Sequence, residues 1–168
     1  PEIEVTDVRF SRISGDWVAA QISLRADGDP SPTAIDENFL DDVRLRFYSC
    51  YEVDRGGDVD EFSFYNSEVR IVSMDRRKTY QVAFFLPGVI RERDDLDVDP
   101  FAWVIEMEAA SGRIPLQDDQ FGGEIKSQSA YDSFLSKANS EGSANDGILL
   151  PIYLAPYYIV NDTRIDLG

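Results

Sequence analysis

The sequence predicts an all-β protein, an immunoglobulin-like antiparallel β-sandwich of about seven or eight strands with one short helix inserted before the C-terminal strand. Three observations predict this fold. Apolar and polar residues alternate along several segments, clusters of acidic and turn-forming residues separate those segments, and a late segment has helical spacing. The length of 168 residues fits a single domain over residues 1–168.

Three segments carry the clearest alternation, and each predicts a half-buried antiparallel strand. The side chains predicted to face inward in the first are Val18, Ala20, Ile22, Leu24 and Ala26. Those in the second are Val43, Leu45, Phe47 and Tyr51. Those in the third are Phe101, Trp103, Ile105 and Met107.

Two further segments predict irregular features of the sheets. The phase of the apolar residues changes near Asp7, which predicts a bulge or a first strand that changes sheets. Residues 69–87 predict a hairpin that turns at residues 75–78. Its second strand would face inward through Tyr80, Val82, Phe84 and Leu86.

One helix is predicted late in the chain. Tyr131, Phe134, Leu135 and Ala138 recur at helical spacing. Ser129 is suited to cap its start, and Gly142 is suited to end it.

Charge and composition exclude several classes of function. With 16 basic against 32 acidic residues, the formal charge of −16 opposes binding to nucleic acid and to anionic membranes. There is no histidine, which excludes histidine-based catalysis and the common zinc sites. Cys50 is the single cysteine, and its position within a predicted strand indicates a small buried side chain rather than a reactive thiol.

The charge-free stretch from Ile148 to Val160 predicts a final strand at the edge of a sheet. It is too short for a membrane span, and Pro151 and Pro156 argue against a helix. Apolar residues occur in both phases, so both faces need cover. Either the helix over residues 131–138 covers the second face, or a partner protein does. The candidate partner-binding residues are Tyr153, Tyr157 and Tyr158.

The acidic segment after residue 93 contains the candidate metal ligands. Asp95, Asp97 and Asp99 alternate, and Glu106 stands at the twelfth place counted from Asp95, as in a calcium-binding loop. Pro100 replaces the glycine of the sixth place, and a strand follows instead of a helix. A looser calcium site would add loop carboxylates from Asp27, Asp29, Asp58 or Asp60. No cofactor is required, and calcium is the one ion suggested.

Three segments together resemble a family of bacterial cell-envelope proteins. The segments are LDDVRLRFYSCYEV, SAYDSFLSKANS and ILLPIYLAPYY. The family comprises immunoglobulin-like proteins associated with type IV pilus-like systems of Gram-negative gut bacteria. The resemblance implies an exported protein of the periplasm or cell surface, anchored by a segment before Pro1 and acting in pilus assembly or host contact. It assigns no functional residue.

The sequence therefore leads to three hypotheses of different classes. The first is a non-enzymatic extracytoplasmic domain that binds protein partners in a cell-surface assembly. The second is a carbohydrate-binding module, calcium-dependent or not, which would present a row of exposed aromatic side chains on one sheet. The third is a hydrolase with two catalytic carboxylates in a deep cleft.

Overall fold

The computed structural model describes residues 3–26, 36–53, 61–162 and 164–165. Its strands form two antiparallel sheets, which confirms the predicted all-β sandwich. The first sheet contains, in spatial order, β1 (Ile3–Arg12), β2 (Val18–Ala26), β5 (Thr79–Leu86) and β9 (Leu150–Pro151). The second contains, in spatial order, β4 (Glu61–Asp75), β3 (Phe39–Val53) and β6 (Ala102–Ala109), with β7 (Gly112–Arg113) and β8 (Phe121–Gly123) both paired to β6.

The described residues thus hold nine strands rather than seven or eight, because three of the nine have only two or three residues. The immunoglobulin-type arrangement stays a prediction. The helices described are α1 (Gly88–Asp94), α2 (Gln128–Glu141) and α3 (Tyr157–Val160). Short 3-10 turns cover Ser14–Asp16, Asp118–Gln120, Gly142–Asn145 and Ile152–Leu154. None of the described helices is both long and apolar enough to cross a bilayer.

The main core lies between the two sheets and is filled by the side chains whose alternation the sequence displays. From β2 it receives Ile22 and Leu24, which are fully buried. From β3 it receives Phe47, whose ring stacks on that of Phe84 from β5 with centroids 5.4 Å apart. This contact joins the two sheets directly, and burying such apolar surface is the main source of stability.

Strands β2, β3 and β5 are buried on both faces for part of their length, although alternation predicted half-buried strands. On the outer face of β3, Tyr48 and Cys50 are covered by α2. On the outer faces of β2 and β5, Ala19 and Phe85 are covered by the C-terminal segment. The sandwich therefore carries an additional helical layer outside each sheet.

The irregularity predicted in the first strand is confirmed as a bulge. The pairing of β1 with β2 shifts register between Val5 and Asp7, and β1 stays in the same sheet on both sides of the shift. The bulge allows apolar residues of different phase to face the same core.

The predicted hairpin over residues 69–87 is wrong in its pairing. The turn lies where expected, with the Lys78 N–H donating to the carbonyl of Asp75 at 3.1 Å. However, β4 pairs with β3 and β5 pairs with β2, so the turn carries the chain from one sheet to the other. Alternation reports which face of a strand is buried and says nothing about its hydrogen-bonded neighbour.

The predicted helix is confirmed as α2, with a different first residue. Ser127 rather than Ser129 caps its start, since the Ser127 hydroxyl accepts the N–H of Ala130 at 3.1 Å. Gly142 ends it as expected. Tyr131 and Phe134 of this helix are buried. The predicted inward position of Phe101 is wrong, because Phe101 precedes β6 and is exposed.

Candidate functional site

The C-terminal segment is a strand for two residues only, which corrects the predicted edge strand over Ile148 to Val160. Leu150 and Pro151 pair with β5 at the edge of the first sheet. A 3-10 turn follows Pro151, and α3 follows Pro156. The two prolines lack the N–H groups of a strand ladder, and each is well suited to stand just before a helical turn. The two prolines therefore divide the segment into short helical turns. The prediction that they argue against a helix is wrong for α3, which begins directly after Pro156.

One buried side chain holds α3 on the outer face of the first sheet. Ile159 is 0% exposed and packs in a cluster with Ala19 of β2 and with Ala83 and Phe85 of β5. Full burial of an isoleucine stabilises the docked position by roughly 1.5–3 kcal/mol. The segment is therefore fixed against the sheet, and the side chains on its other side have a firm support.

On that other side lie four large side chains, which together we call the tyrosine surface. They are Tyr153 (69% exposed), Leu154 (60%), Tyr157 (81%) and Tyr158 (65%). Helical spacing explains the division, since Ile159 points at the sheet while the two residues before it point away. The sequence predicted the three tyrosines as partner-binding residues but did not indicate Leu154. The two prolines, five residues apart, were the available signal that period-two reasoning fails here.

The helix α2 does not cover the tyrosine surface, so that alternative is wrong. Its buried residues pack on the outer face of the second sheet, in a cluster with Tyr48, Phe64 and Val104. The tyrosine surface lies on a segment packed against the first sheet. The other alternative, a protein partner, stays a prediction.

The composition of the tyrosine surface is typical of protein interfaces. A tyrosine ring supplies apolar contact area with few rotatable bonds, and its hydroxyl supplies a hydrogen bond at the edge. Tyrosine is enriched among the residues that dominate binding energy. Contiguous exposed apolar side chains are uncommon on monomers and often mark interaction sites.

The acidic segment does not assemble the predicted calcium loop. Asp95, Asp97 and Asp99 are all exposed, and Asp95 ends α1 in the left-handed backbone region with φ 51°. Within the ranges described, no three acidic residues lie close enough together to hold a metal ion. The further candidates Asp27, Asp29, Asp58 and Asp60 lie outside the described residues. A calcium site that includes them stays a prediction.

Glu106, the expected twelfth calcium ligand, belongs to a charged cleft on the outer face of the second sheet. Its carboxylate pairs with Arg113 at 2.6 Å and accepts a hydrogen bond from the Tyr48 hydroxyl at 3.4 Å. Burial raises the pKa of that hydroxyl. Beside this pair, Arg46 donates to Glu68 at 2.7 Å.

The charged cleft has a volume of about 410 Å³ and mixes charges of both signs. The charged side chains that line it are Arg44, Arg46, Arg113, Glu68, Glu106 and Glu108. Three of these side chains are carboxylates, and the hydrolase hypothesis requires two in a deep cleft. Glu68 and Glu106 are each paired with an arginine, so both carboxylates are already engaged within the protein.

The exposed aromatic side chains do not form the row that the carbohydrate hypothesis requires. Among the described residues, Phe62 is the single exposed aromatic that lies within a strand, and the others are Phe101 and the three tyrosines. A sugar-binding platform would need several aromatic rings along one sheet face.

Comparison with known proteins concerns the fold alone. No family model matches the sequence, and no curated protein matches it. Among solved structures, the chain is similar to a crystal structure from Akkermansia muciniphila, with a TM-score of 0.60 and 10% sequence identity. The match covers 79% of this chain and 74% of that chain. The likeness supports the two-sheet architecture, and function has to be argued from the surfaces described above.

Proposed function

We propose that this protein is a non-enzymatic, extracytoplasmic interaction domain that binds protein partners in a cell-surface assembly through the tyrosine surface. A pilus-like assembly or a host-contact structure is the setting proposed. That setting rests on the resemblance of three segments to cell-envelope proteins, and the interaction itself rests on the geometry of the C-terminal segment.

The observation that carries the proposal is the contrast between neighbouring residues of α3. Ile159 is fully buried while Tyr157 and Tyr158 are largely exposed. Acidic residues are abundant in this chain, yet none occurs in the segment that forms this surface. Large apolar side chains on a well-anchored support instead favour association, because a partner that covers them removes their surface from water.

The net charge of −16 supports the choice of partner class. It opposes phosphate backbones and anionic lipid headgroups, which repel an acidic surface. A protein surface with apolar pockets and basic or neutral surroundings is complementary to the apolar side chains of the tyrosine surface and to the negative charge of the chain.

Site-specific photo-crosslinking in cell-envelope preparations of the source organism tests the proposal. A photoreactive phenylalanine analogue replaces Tyr157, and in a matched control it replaces Val72, an exposed apolar residue of β4. We expect a discrete cross-linked protein from position 157 and none from position 72. The partner is then purified, and its affinity is measured for the native chain and for Tyr157→Glu/Tyr158→Glu.

The affinity measurement decides the outcome. Loss of two central tyrosines should weaken binding by at least about tenfold. The double variant should fold normally, since both side chains are exposed. Equal cross-linking at both positions, or equal affinity of the folded double variant, would contradict the proposed function.

A further inference from the structure

A second exposed apolar feature lies on the opposite side of the sandwich, in a cleft between α2 and the second sheet. The cleft has a volume of about 240 Å³. Phe64 and Phe134 form part of its wall, with ring centroids 5.7 Å apart. At its mouth, Phe62 (36% exposed) and Phe101 (40% exposed) place their ring centroids 4.9 Å apart. An apolar side chain entering the cleft would remove this aromatic surface from water.

An acidic cleft of about 230 Å³ adjoins the apolar one and shares Phe101 and Glu124 with it. It is also lined by Glu52, Asp97 and Asp99. The register of β3 and β4 places Glu52 directly opposite Phe62, so this carboxylate borders the aromatic pair. Acidic side chains are thus grouped at one end of an apolar cleft.

These carboxylates are not neutralised within the described part of the chain. No Lys or Arg among the described residues lines the acidic cleft, and none forms an ion pair with Glu52, Asp97 or Glu124. The same residues are too widely spread to hold one metal ion. A guanidinium or ammonium group on a partner protein would therefore be complementary to these carboxylates.

We propose that the two adjoining clefts form a docking site for an extended basic peptide segment of a partner protein. An aromatic or aliphatic side chain of the peptide enters the apolar cleft, and a neighbouring arginine lies among the carboxylates. Guanidinium suits this position, because its five N–H donors reach several carboxylates and its plane stacks on an aromatic face. Lys137 lines the apolar cleft on α2 and disfavours a second basic side chain there.

Charge selects this occupant over a second copy of the chain. Two molecules of charge −16 repel each other, and the repulsion is strongest where unpaired carboxylates are grouped. A basic segment gains from the same field in both affinity and association rate.

Binding of labelled peptides tests the proposal. The probes are fluorescein-labelled Gly-Ser peptides that carry one Trp and one Arg separated by one, two or three residues. Matched probes replace Trp by Gly, or Arg by Gln. Fluorescence anisotropy and NMR titration measure affinity up to millimolar protein. We expect at least one probe that carries both Trp and Arg to bind. The matched probes that lack Trp or Arg should bind about tenfold more weakly, and added salt should weaken binding.

Variants of the exposed lining locate the binding. Phe101→Ala and Asp97→Asn/Glu124→Gln should each weaken the best probe by about threefold to tenfold. Val72→Ala and Glu92→Gln, exposed elsewhere, are the matched controls and should bind as the native chain does. The Tyr157→Glu/Tyr158→Glu variant should also bind unchanged, which separates this site from the tyrosine surface.

Several results would overturn the proposal. They are the absence of binding by every probe, equal binding by the probe that lacks Trp, and equal affinity of the cleft variants. Self-association in sedimentation that Phe101→Ala abolishes would assign the cleft to a second copy and would also reject a basic peptide.

Discussion

The carboxylate of Asp162 accepts two hydrogen bonds from Ser14, from the backbone N–H at 3.0 Å and from the hydroxyl group at 2.7 Å. Arg164 donates to the same carboxylate at 2.8 and 2.7 Å. Hydrogen bonds from Arg164 and Ser14 hold the pKa of Asp162 well below its ordinary value. The contact ties the C-terminal segment to the turn before β2, 148 residues earlier in the chain.

Replacing Asp162 by alanine should loosen this tie while leaving the two sheets intact. The donors of Ser14 and Arg164 would lose their acceptor, and the segment would be held by the pairing of β9 with β5 and by its apolar contacts. We expect faster amide hydrogen exchange in peptides covering residues 152–162 and unchanged exchange in β2 and β3. Asp146→Ala, an exposed acidic residue in a turn, is the control. Unchanged exchange in the segment would show that the tie contributes nothing to docking.

Adjacent residues of α3 should differ sharply in their effect on stability. Ile159→Ala removes a fully buried side chain from the cluster on the first sheet and should lower the free energy of unfolding by about 2–5 kcal/mol. Tyr158→Ala removes an exposed one and should change it by no more than about 0.5 kcal/mol. Chemical denaturation measures both. Similar losses in the two variants would place Tyr158 within the packed structure.

The sandwich could be predicted because apolar residues alternate along its strands and so indicate the face that is buried. Leu24 and Phe47 fall in the phase of the core and are buried there. The change of phase near Asp7 likewise located the bulge. Strand neighbours were harder to predict, because pairing depends on contacts between segments distant in the chain. The turn after Asp75 was placed correctly, yet it joins two sheets.

The tyrosine surface was predicted in its residues but not in its geometry. Composition indicated Tyr153, Tyr157 and Tyr158, because they lie in a stretch without charge in an otherwise acidic chain. Their geometry involves contacts with residues distant in the chain, such as Asp162 with Ser14 and Ile159 with β2 and β5, and no local pattern reports contacts of that range. The cleft at Phe62 and Phe101 was missed for the same reason, since alternation predicted Phe101 to face inward.

Cys50 should be inert in the folded protein. Burial under α2 raises the pKa of its thiol to about 12, so the reactive thiolate is scarce at any moderate pH. We expect reaction with a soluble aromatic disulfide to be at least about a hundredfold slower in the native than in the denatured protein. In the control Ser133→Cys, an added thiol on the exposed side of α2 should react at once. Rapid native labelling of Cys50 would contradict its burial.

Asp75 should make stability depend on acid pH. Its hydrogen bonds with the Arg77 side chain and N–H lower the pKa of its carboxyl from 3.8 to about 2. Because the folded pKa is the lower one, the stabilisation is present above 3.8 and is lost as pH falls towards 2. Asp75→Asn should therefore melt at a lower temperature than the native chain at neutral pH, and the difference should shrink across this acid range.

Melting curves of Asp75→Asn and of a control variant check this. Glu92→Gln, an exposed carboxylate on α1, should give the same difference from the native chain at every pH. A difference for Asp75→Asn that persists at the acid end would show that the carboxylate charge is not its cause.

Calcium should not act through the alternating aspartates. Asp95, Asp97 and Asp99 do not converge on one ion position, so neutralising them removes no site. We expect any change in melting temperature between chelator and millimolar calcium to be the same in the native chain and in Asp95→Asn/Asp97→Asn/Asp99→Asn. Such a shared change would point to carboxylates elsewhere, including Asp27, Asp29, Asp58 and Asp60. A calcium site worth about 1 kcal/mol shifts the melting temperature by roughly 2–4 °C in a domain of this size, which a thermal scan resolves. A rise of that size in the native chain that the triple variant loses would show that these aspartates bind the ion after all.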